Sequence, residues 1–241
     1  MKIDREIHHP IHPKHRLRLQ YTETPFNCDG CKEAGIGLKY GCSDCDFDLH
    51  KICAMASPTI YHPFYPKCEF QFFYKPPGNE RRLCDGCRKD VQAFMYHCKR
   101  CGFDLHPCCA NLPTVLDDGE HDLYLSLKLT SPCHKCGRKG SGWAYRTNCK
   151  TYNLHVACVK ELLVESWQVM YLNIDKNKMR ELQTRLPSLK GTLKSHHKGQ
   201  KQGKVMKCCQ MAGGAIKIIV SAILGDPSAI IGAAIGSFIS K

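Results

Sequence analysis

Apolar and polar residues alternate only over short runs in the first half of the chain: LRLQY at 17–21, LKYGC at 38–42, EFQFFY at 69–74, AFMYHC at 93–98 and LYLSL at 123–127. A period of two over so few residues predicts short strands that each bury one face. The period changes in HVACVKELLVESWQVMY at 155–171, where Val159, Leu162, Leu163, Trp167 and Met170 recur at helical spacing and predict an amphipathic helix. Periodicity is then lost across 173–210, which includes LKSHHKGQKQGKVMK and reads as a flexible linker. The last segment, 211–241, holds two apolar runs split by Gly225, Asp226 and Pro227. Each is shorter than the roughly 20 residues that cross a bilayer, and Lys217 interrupts the first. Two readings of this helical tail stay open: a hairpin that packs on itself or oligomerises, and a segment that inserts shallowly into a membrane.

Large aliphatic residues are sparse before the tail, whereas the 241 residues include 18 Cys and 13 His. Several small units that lack a large core need another staple. The N-terminus MKIDREIHHP has no apolar stretch resembling a signal peptide, which predicts an intracellular location, cytoplasm or nucleus, rather than secretion. In a reducing compartment paired cysteines bind metal more often than they form disulfides. A disulfide-stapled secreted protein is the competing reading.

The cysteines repeat. A leader HPIHPKHRLRL from His9 matches HPFYPKCEFQF from His62 without gaps. After the first come Cys28, Cys31, Cys42, Cys45, His50 and Cys53; after the second, at identical inner spacing, Cys84, Cys87, Cys98, Cys101, His106 and Cys109. A third copy keeps Cys133, Cys136, His155 and Cys158 but has Thr147 and Lys150 at the second CxxC, with Cys149 off register. Each CxxC or HxxC offers two ligands, and zinc takes four. Only four residues, DFDL, separate the second CxxC of repeat 1 from its HxxC, a short span for closing both around one ion, so alternate pairing is predicted.

The expected sets are Cys28, Cys31, His50 and Cys53 (site 1); His15, Cys42, Cys45 and His62 (site 2); Cys84, Cys87, His106 and Cys109 (site 3); Cys68, Cys98, Cys101 and either Asp118 or His121 (site 4); and Cys133, Cys136, His155 and Cys158 (site 5). Five zinc ions follow. Cys108, Cys149, Cys208 and Cys209 stand outside these sets and are the thiols expected to react with a small alkylating reagent.

This order of ligands resembles the cysteine/histidine-rich zinc domain of the diacylglycerol and phorbol-ester receptors. The leader HPxHPKH, the motif DFDLH and the late His62 resemble more closely the plant family of divergent C-one domains, over roughly residues 9 to 170. The resemblance implies two small β-sheets and a short C-terminal helix around two interleaved zinc sites. The expected fold class is therefore small zinc-stabilised α+β domains with short antiparallel strands and little core. Repeat 1 spans 9–62, repeat 2 spans 62–120, and the degenerate repeat 3 with its helix spans 121–172; the linker (173–210) and apolar tail (211–241) follow. Lipid-binding members of the wider family carry a Gln-Gly pair before the second CxxC and an apolar-tipped loop. This chain has EAGIGLKYGC and RKDVQAFMYHC there, so diacylglycerol is not the expected ligand.

The formal charge of +13 falls to about +9 once zinc and its thiolates are counted, and the protein stays basic. From Lys176 to Lys207 there are ten Lys or Arg against one acidic residue, Glu181. Nucleic acid is a weak candidate partner, because no aromatic side chain lies between Leu172 and Gly236 to stack on a base. A membrane is the stronger candidate, since Cys208 and Cys209 lie between the basic linker and the apolar run as candidate lipidation sites. The Cys and His clusters all have a structural task, which predicts a non-enzymatic zinc scaffold that recruits protein partners in intracellular signalling. The runner-up is a thiol-disulfide oxidoreductase, because similar repeats accompany redox domains in some plant proteins. A lipid- or membrane-recruited adaptor is the third reading.

Overall fold

The computed structural model describes residues 4–117, 122–148, 152–171 and 219–224. Asp118, His121, Cys149, Lys150, the basic linker, Cys208 and Cys209 lie outside the described residues, as does the tail apart from helical residues 219–224. No described helix is long and apolar enough to cross a membrane. The chain divides into two compact units, one containing repeats 1 and 2 and the other repeat 3.

Each repeat is one four-stranded antiparallel sheet followed by a helix. Repeat 1 consists of β1 (Glu6–His9), β2 (His12–Asn27), β3 (Ala34–Cys42), β4 (Asp48–His50) and helix α1 (Lys51–Ala54). Repeat 2 consists of β5 (Thr59–His62), β6 (Tyr65–Phe73), β7 (Met95–His97), β8 (Asp104–Leu105) and α2 (Pro107–Ala110). Repeat 3 follows the same order with β9 (Val115–Asp117), β10 (Asp122–Leu129), β11 (Gly140–Thr147), β12 (Asn153–His155) and a much longer α3 (Val156–Tyr171). In place of two small sheets there is one, because the second strand of each repeat pairs with the first on one edge and the third on the other. The strand Val115–Asp117, which falls inside repeat 2 by the boundary at 120, pairs with Asp122–Leu129 and so opens the sheet of repeat 3.

The alternation in LRLQY does what a half-buried strand requires. Leu17 is fully buried, while Arg16 and Arg18 face solvent and reach Glu6 on the neighbouring strand. These exposed pairs stabilise by at most about 1 kcal/mol. The leader histidines are turn residues: His9 Nδ1 accepts from the Ile11 N–H at 3.4 Å, and His62 Nδ1 accepts from the Phe64 N–H at 3.1 Å. A tyrosine on the third strand of every repeat is buried and donates its hydroxyl to a backbone carbonyl at that repeat's start. The three bonds are Tyr40 to Asp4 at 2.7 Å, Tyr96 to Ser57 at 3.0 Å and Tyr145 to Pro113 at 2.7 Å.

Repeats 1 and 2 share one core. Phe94 of repeat 2 packs with Leu17, Tyr40, Leu49 and the thiols Cys28, Cys31 and Cys53 of repeat 1. The approach is so close that a Cβ on Gly30 would lie 2.5 Å from Phe94 Cδ2, while the Phe94 N–H donates to the Gly30 carbonyl at 2.9 Å.

Candidate metal centres

The first CxxC of each repeat is a tight knuckle. The N–H of the residue after it returns to the carbonyl of its first cysteine: Lys32 to Cys28 at 2.8 Å, Arg88 to Cys84 at 2.7 Å and Gly137 to Cys133 at 2.8 Å. To close that turn the backbone goes left-handed, with φ of 62° at Lys32, 59° at Arg88 and 67° at Gly137. Two of the three knuckles thus hold a non-glycine residue in a disfavoured conformation, which costs about 1 kcal/mol each.

Strands and helices then bring the HxxC onto the knuckle. Five clusters assemble among the described residues: Cys28, Cys31, His50, Cys53; Cys84, Cys87, His106, Cys109; Cys133, Cys136, His155, Cys158; His12, His15, Cys42, Cys45; and Cys68, Cys98, Cys101. The described cysteines are free thiols, without disulfides. Sites 1, 3 and 5 thus contain the residues expected from the alternate pairing. Site 2 differs. Its fourth member is His12 rather than His62, because the β1–β2 turn folds His12 back beside His15, with ring centroids 5.4 Å apart. His62 instead occupies, in repeat 2, the turn position that His9 holds in repeat 1, and burial drives its pKa down to about 4, in keeping with a neutral hydrogen-bond acceptor. Site 4 shows three members, since Tyr65 stands where repeat 1 has His12 and the fourth-ligand candidates Asp118 and His121 lie outside the described residues.

The spacing fits zinc. Bonds of about 2.3 Å to sulfur and about 2.0 Å to nitrogen place tetrahedral S···N edges at about 3.5 Å and S···S edges at about 3.8 Å. From His50 Nδ1, Cys31 Sγ lies at 3.3 Å and Cys53 Sγ at 3.9 Å; Cys87 lies 3.3 Å from His106 Nδ1. Around His155 Nδ1 the thiols of Cys136 and Cys158 are at 3.5 and 3.9 Å, and around His15 Nδ1 those of Cys45 and Cys42 are at 3.2 and 3.7 Å. In site 4, Cys68 Sγ and Cys101 Sγ are 2.7 Å apart, a contact that an ion would have to widen.

The other ring nitrogen is also accounted for. His50 Nε2 lies 3.3 Å from the Ala34 carbonyl and His106 Nε2 lies 3.0 Å from that of Asp90, so each ring can donate there and turn Nδ1 toward the thiols. Gly35 permits the first of these bonds, since a Cβ there would collide with the His50 ring. Backbone N–H groups of His50 and His106 donate to the thiols of Cys28 at 3.3 Å and Cys84 at 3.4 Å. His12 Nε2 is buried and has no hydrogen-bond partner among the described residues, as expected of an atom placed to ligate.

Charge points the same way. Burial opposes protonation of His50, but Cys108 and Cys28 outweigh it and hold its pKa well above the ordinary range. His106 is raised likewise, against burial, by Cys84 and Cys87. A hydrogen bond from Cys158, opposed by burial and aided by His155, brings the Cys133 thiol down to about 3. Dense thiolates that hold imidazoles protonated are cation sites, and zinc relieves them by replacing the protons.

The family profile of the C1 domain matches residues 10–54 and 62–110. Both segments are C1 domains. Their cysteine/histidine-rich clusters are the kind of site at which this family binds zinc. Among curated proteins, the chain is 38% identical over 55 residues to "Probable nucleoredoxin 1" of Arabidopsis thaliana, covering 23% of this chain and 9% of that protein. It is 29% identical over 102 residues to "Diacylglycerol kinase theta" of Homo sapiens, covering 40% of this chain and 11% of that protein. The chain thus spans about a tenth of the length of these relatives. No solved structure matches it.

The regularities that the sequence reading missed are the left-handed residue after each first CxxC, the tyrosine tie of each repeat, and His12. The tyrosine recurs at one place in the three copies, KYGC at 39–42, MYHC at 95–98 and AYRT at 144–147, and the hydrogen bond follows from the strand it sits on. The expectation of a reactive Cys108 is also corrected: its thiol is 4% exposed, within the core shared by the two C1 domains.

Proposed function

We propose that the protein is a non-catalytic zinc scaffold that presents its surface to protein partners in intracellular signalling, with the basic linker and apolar tail setting its location. The observation that carries this reading is the closure of the donor sets: four clusters hold four Cys or His donors each, all within 4.8 Å of one another. A hydrolytic zinc needs an open coordination position and a base, and a redox thiol needs to be free of metal. Four protein donors per ion leave neither.

Diacylglycerol is not the ligand in this reading, although one relative is named for it. The apolar side chains in the segments before the second CxxC, Ile36 in repeat 1 and Phe94 and Met95 in repeat 2, are buried and support the sheets rather than forming a membrane-inserting tip. The tail is then the membrane-directed element, with Cys208 and Cys209 as its lipidation sites.

Alkylation of the zinc-loaded protein with a small maleimide, mapped by mass spectrometry, tests the reading. Cluster thiols stay protected until a chelator is added, and labelling is confined to Cys149, Cys208 and Cys209. Fast labelling of one CxxC pair in zinc-loaded protein would favour the thiol-disulfide reading instead.

A further inference from the structure

Cys108 belongs to repeat 2 by sequence but to site 1 by position. Its Sγ lies 3.6 Å from Cys31 Sγ and 3.8 Å from His50 Nδ1, both close to the edges of a zinc tetrahedron. It also interacts with Cys53. Cys31, His50 and Cys53 thus each interact with both Cys28 and Cys108, and either thiol could complete a tetrahedron with them. The equivalent position in repeat 1 is Ile52, which offers no donor.

We infer that Cys108 is an alternative apical ligand of site 1, contributed across the junction between the two C1 domains. With zinc in site 1, Cys31, His50 and Cys53 would hold it together with either Cys28 or Cys108; exchange of one thiolate for the other, with a proton passing from the incoming thiol to the departing thiolate, would leave the site Cys3His with unchanged charge. This exchange would make the zinc of site 1 a clasp between the domains. The inference rests on the zinc-binding reading above.

The paired variants Cys28→Ser and Cys84→Ser test it, because they remove the same ligand from the two repeats and differ only in whether a spare thiol is present. Native mass spectrometry of the full chain under reducing conditions should show the wild-type zinc number in Cys28→Ser. Cys84→Ser, and the double variant Cys28→Ser with Cys108→Ser, should each show one ion fewer. Equal losses in Cys28→Ser and Cys84→Ser overturn the inference while leaving the zinc reading intact; a wild type without zinc overturns both. A second measurement does not depend on the folding of Cys28→Ser. With Cys108→Val, which keeps an apolar side chain of similar size, one zinc should transfer to a chromogenic chelator several-fold faster than in wild type. An unchanged transfer rate overturns the inference.

Discussion

Repeats 2 and 3 share one strand order, one tyrosine tie and one knuckle, yet they are stabilised by different means. Repeat 2 has two clusters, a two-residue final strand and the four-residue helix α2. Repeat 3 has one cluster among the described residues, and Thr147, where the first thiol of its second CxxC would stand, keeps the backbone hydrogen bond of that cysteine. The Thr147 N–H still reaches the Tyr152 carbonyl at 3.1 Å, as Cys98 does to Phe103 at 3.0 Å and Cys42 to Phe47 at 3.0 Å. Thr147 is buried and its hydroxyl accepts from the Tyr152 N–H at 3.2 Å. Around this turn Trp143, Tyr145, Tyr152, Leu154 and Val156 are almost fully buried, and α3 adds Val159, Leu163 and Trp167. A sheet that loses a metal cluster can keep its topology if apolar side chains take over the closure.

The largest expected effect is on metal removal. A structural zinc supplies on the order of 10 kcal/mol of folding free energy. A chelator in excess should therefore abolish hydrogen-exchange protection in β3 and β7, while β11 and the first turns of α3 retain part of theirs. Equal loss in all three repeats would show that the apolar core of repeat 3 does not substitute for metal. Next comes Trp143→Ala, whose cavity should cost about 3 to 5 kcal/mol and lower the unfolding midpoint of repeat 3 with the zinc number unchanged. Loss of an ion together with the tryptophan would mean that core and cluster act as one unit.

Tyr96→Phe removes the tie to Ser57 and leaves its carbonyl without that donor, at a cost of about 1 kcal/mol in denaturant unfolding of repeat 2. The smallest effect runs in the other direction. The Tyr152 hydroxyl is buried without a hydrogen-bond partner among the described residues, and burial together with the nearby Cys133 raises its pKa well above the ordinary range. Tyr152→Phe should therefore leave stability unchanged or raise it by up to about 1 kcal/mol. A clear destabilisation would reveal a partner for that hydroxyl.

Much of this architecture was legible in the sequence because ligand spacing is rigid. CxxC and HxxC hold their residues within one turn, so counting residues was enough to group Cys28 with Cys53 and Cys84 with Cys109. The amphipathic pattern of 155–171 corresponds to α3, whose Val159, Leu163 and Trp167 are buried. What spacing does not convey is how a strand-to-strand turn aims a side chain. His62 and His9 occupy turns and accept backbone N–H groups, while His12, three residues after His9, folds back to the thiols. The alignment held a clue, since His12 faces Tyr65 across the repeats and the corresponding cluster of repeat 2 has three described members. The position of Cys108 depends on packing between two repeats, which no spacing within one repeat encodes.

Zinc per chain, measured by native mass spectrometry on wild type and Cys42→Ser purified under reducing conditions, tests the central claim most directly. Five ions in the wild type and four in the variant, with Cys28, Cys31, His50 and Cys53 still protected from alkylation, are the predicted result. Zero or sub-stoichiometric zinc with reversible disulfides in the same cysteines would contradict it.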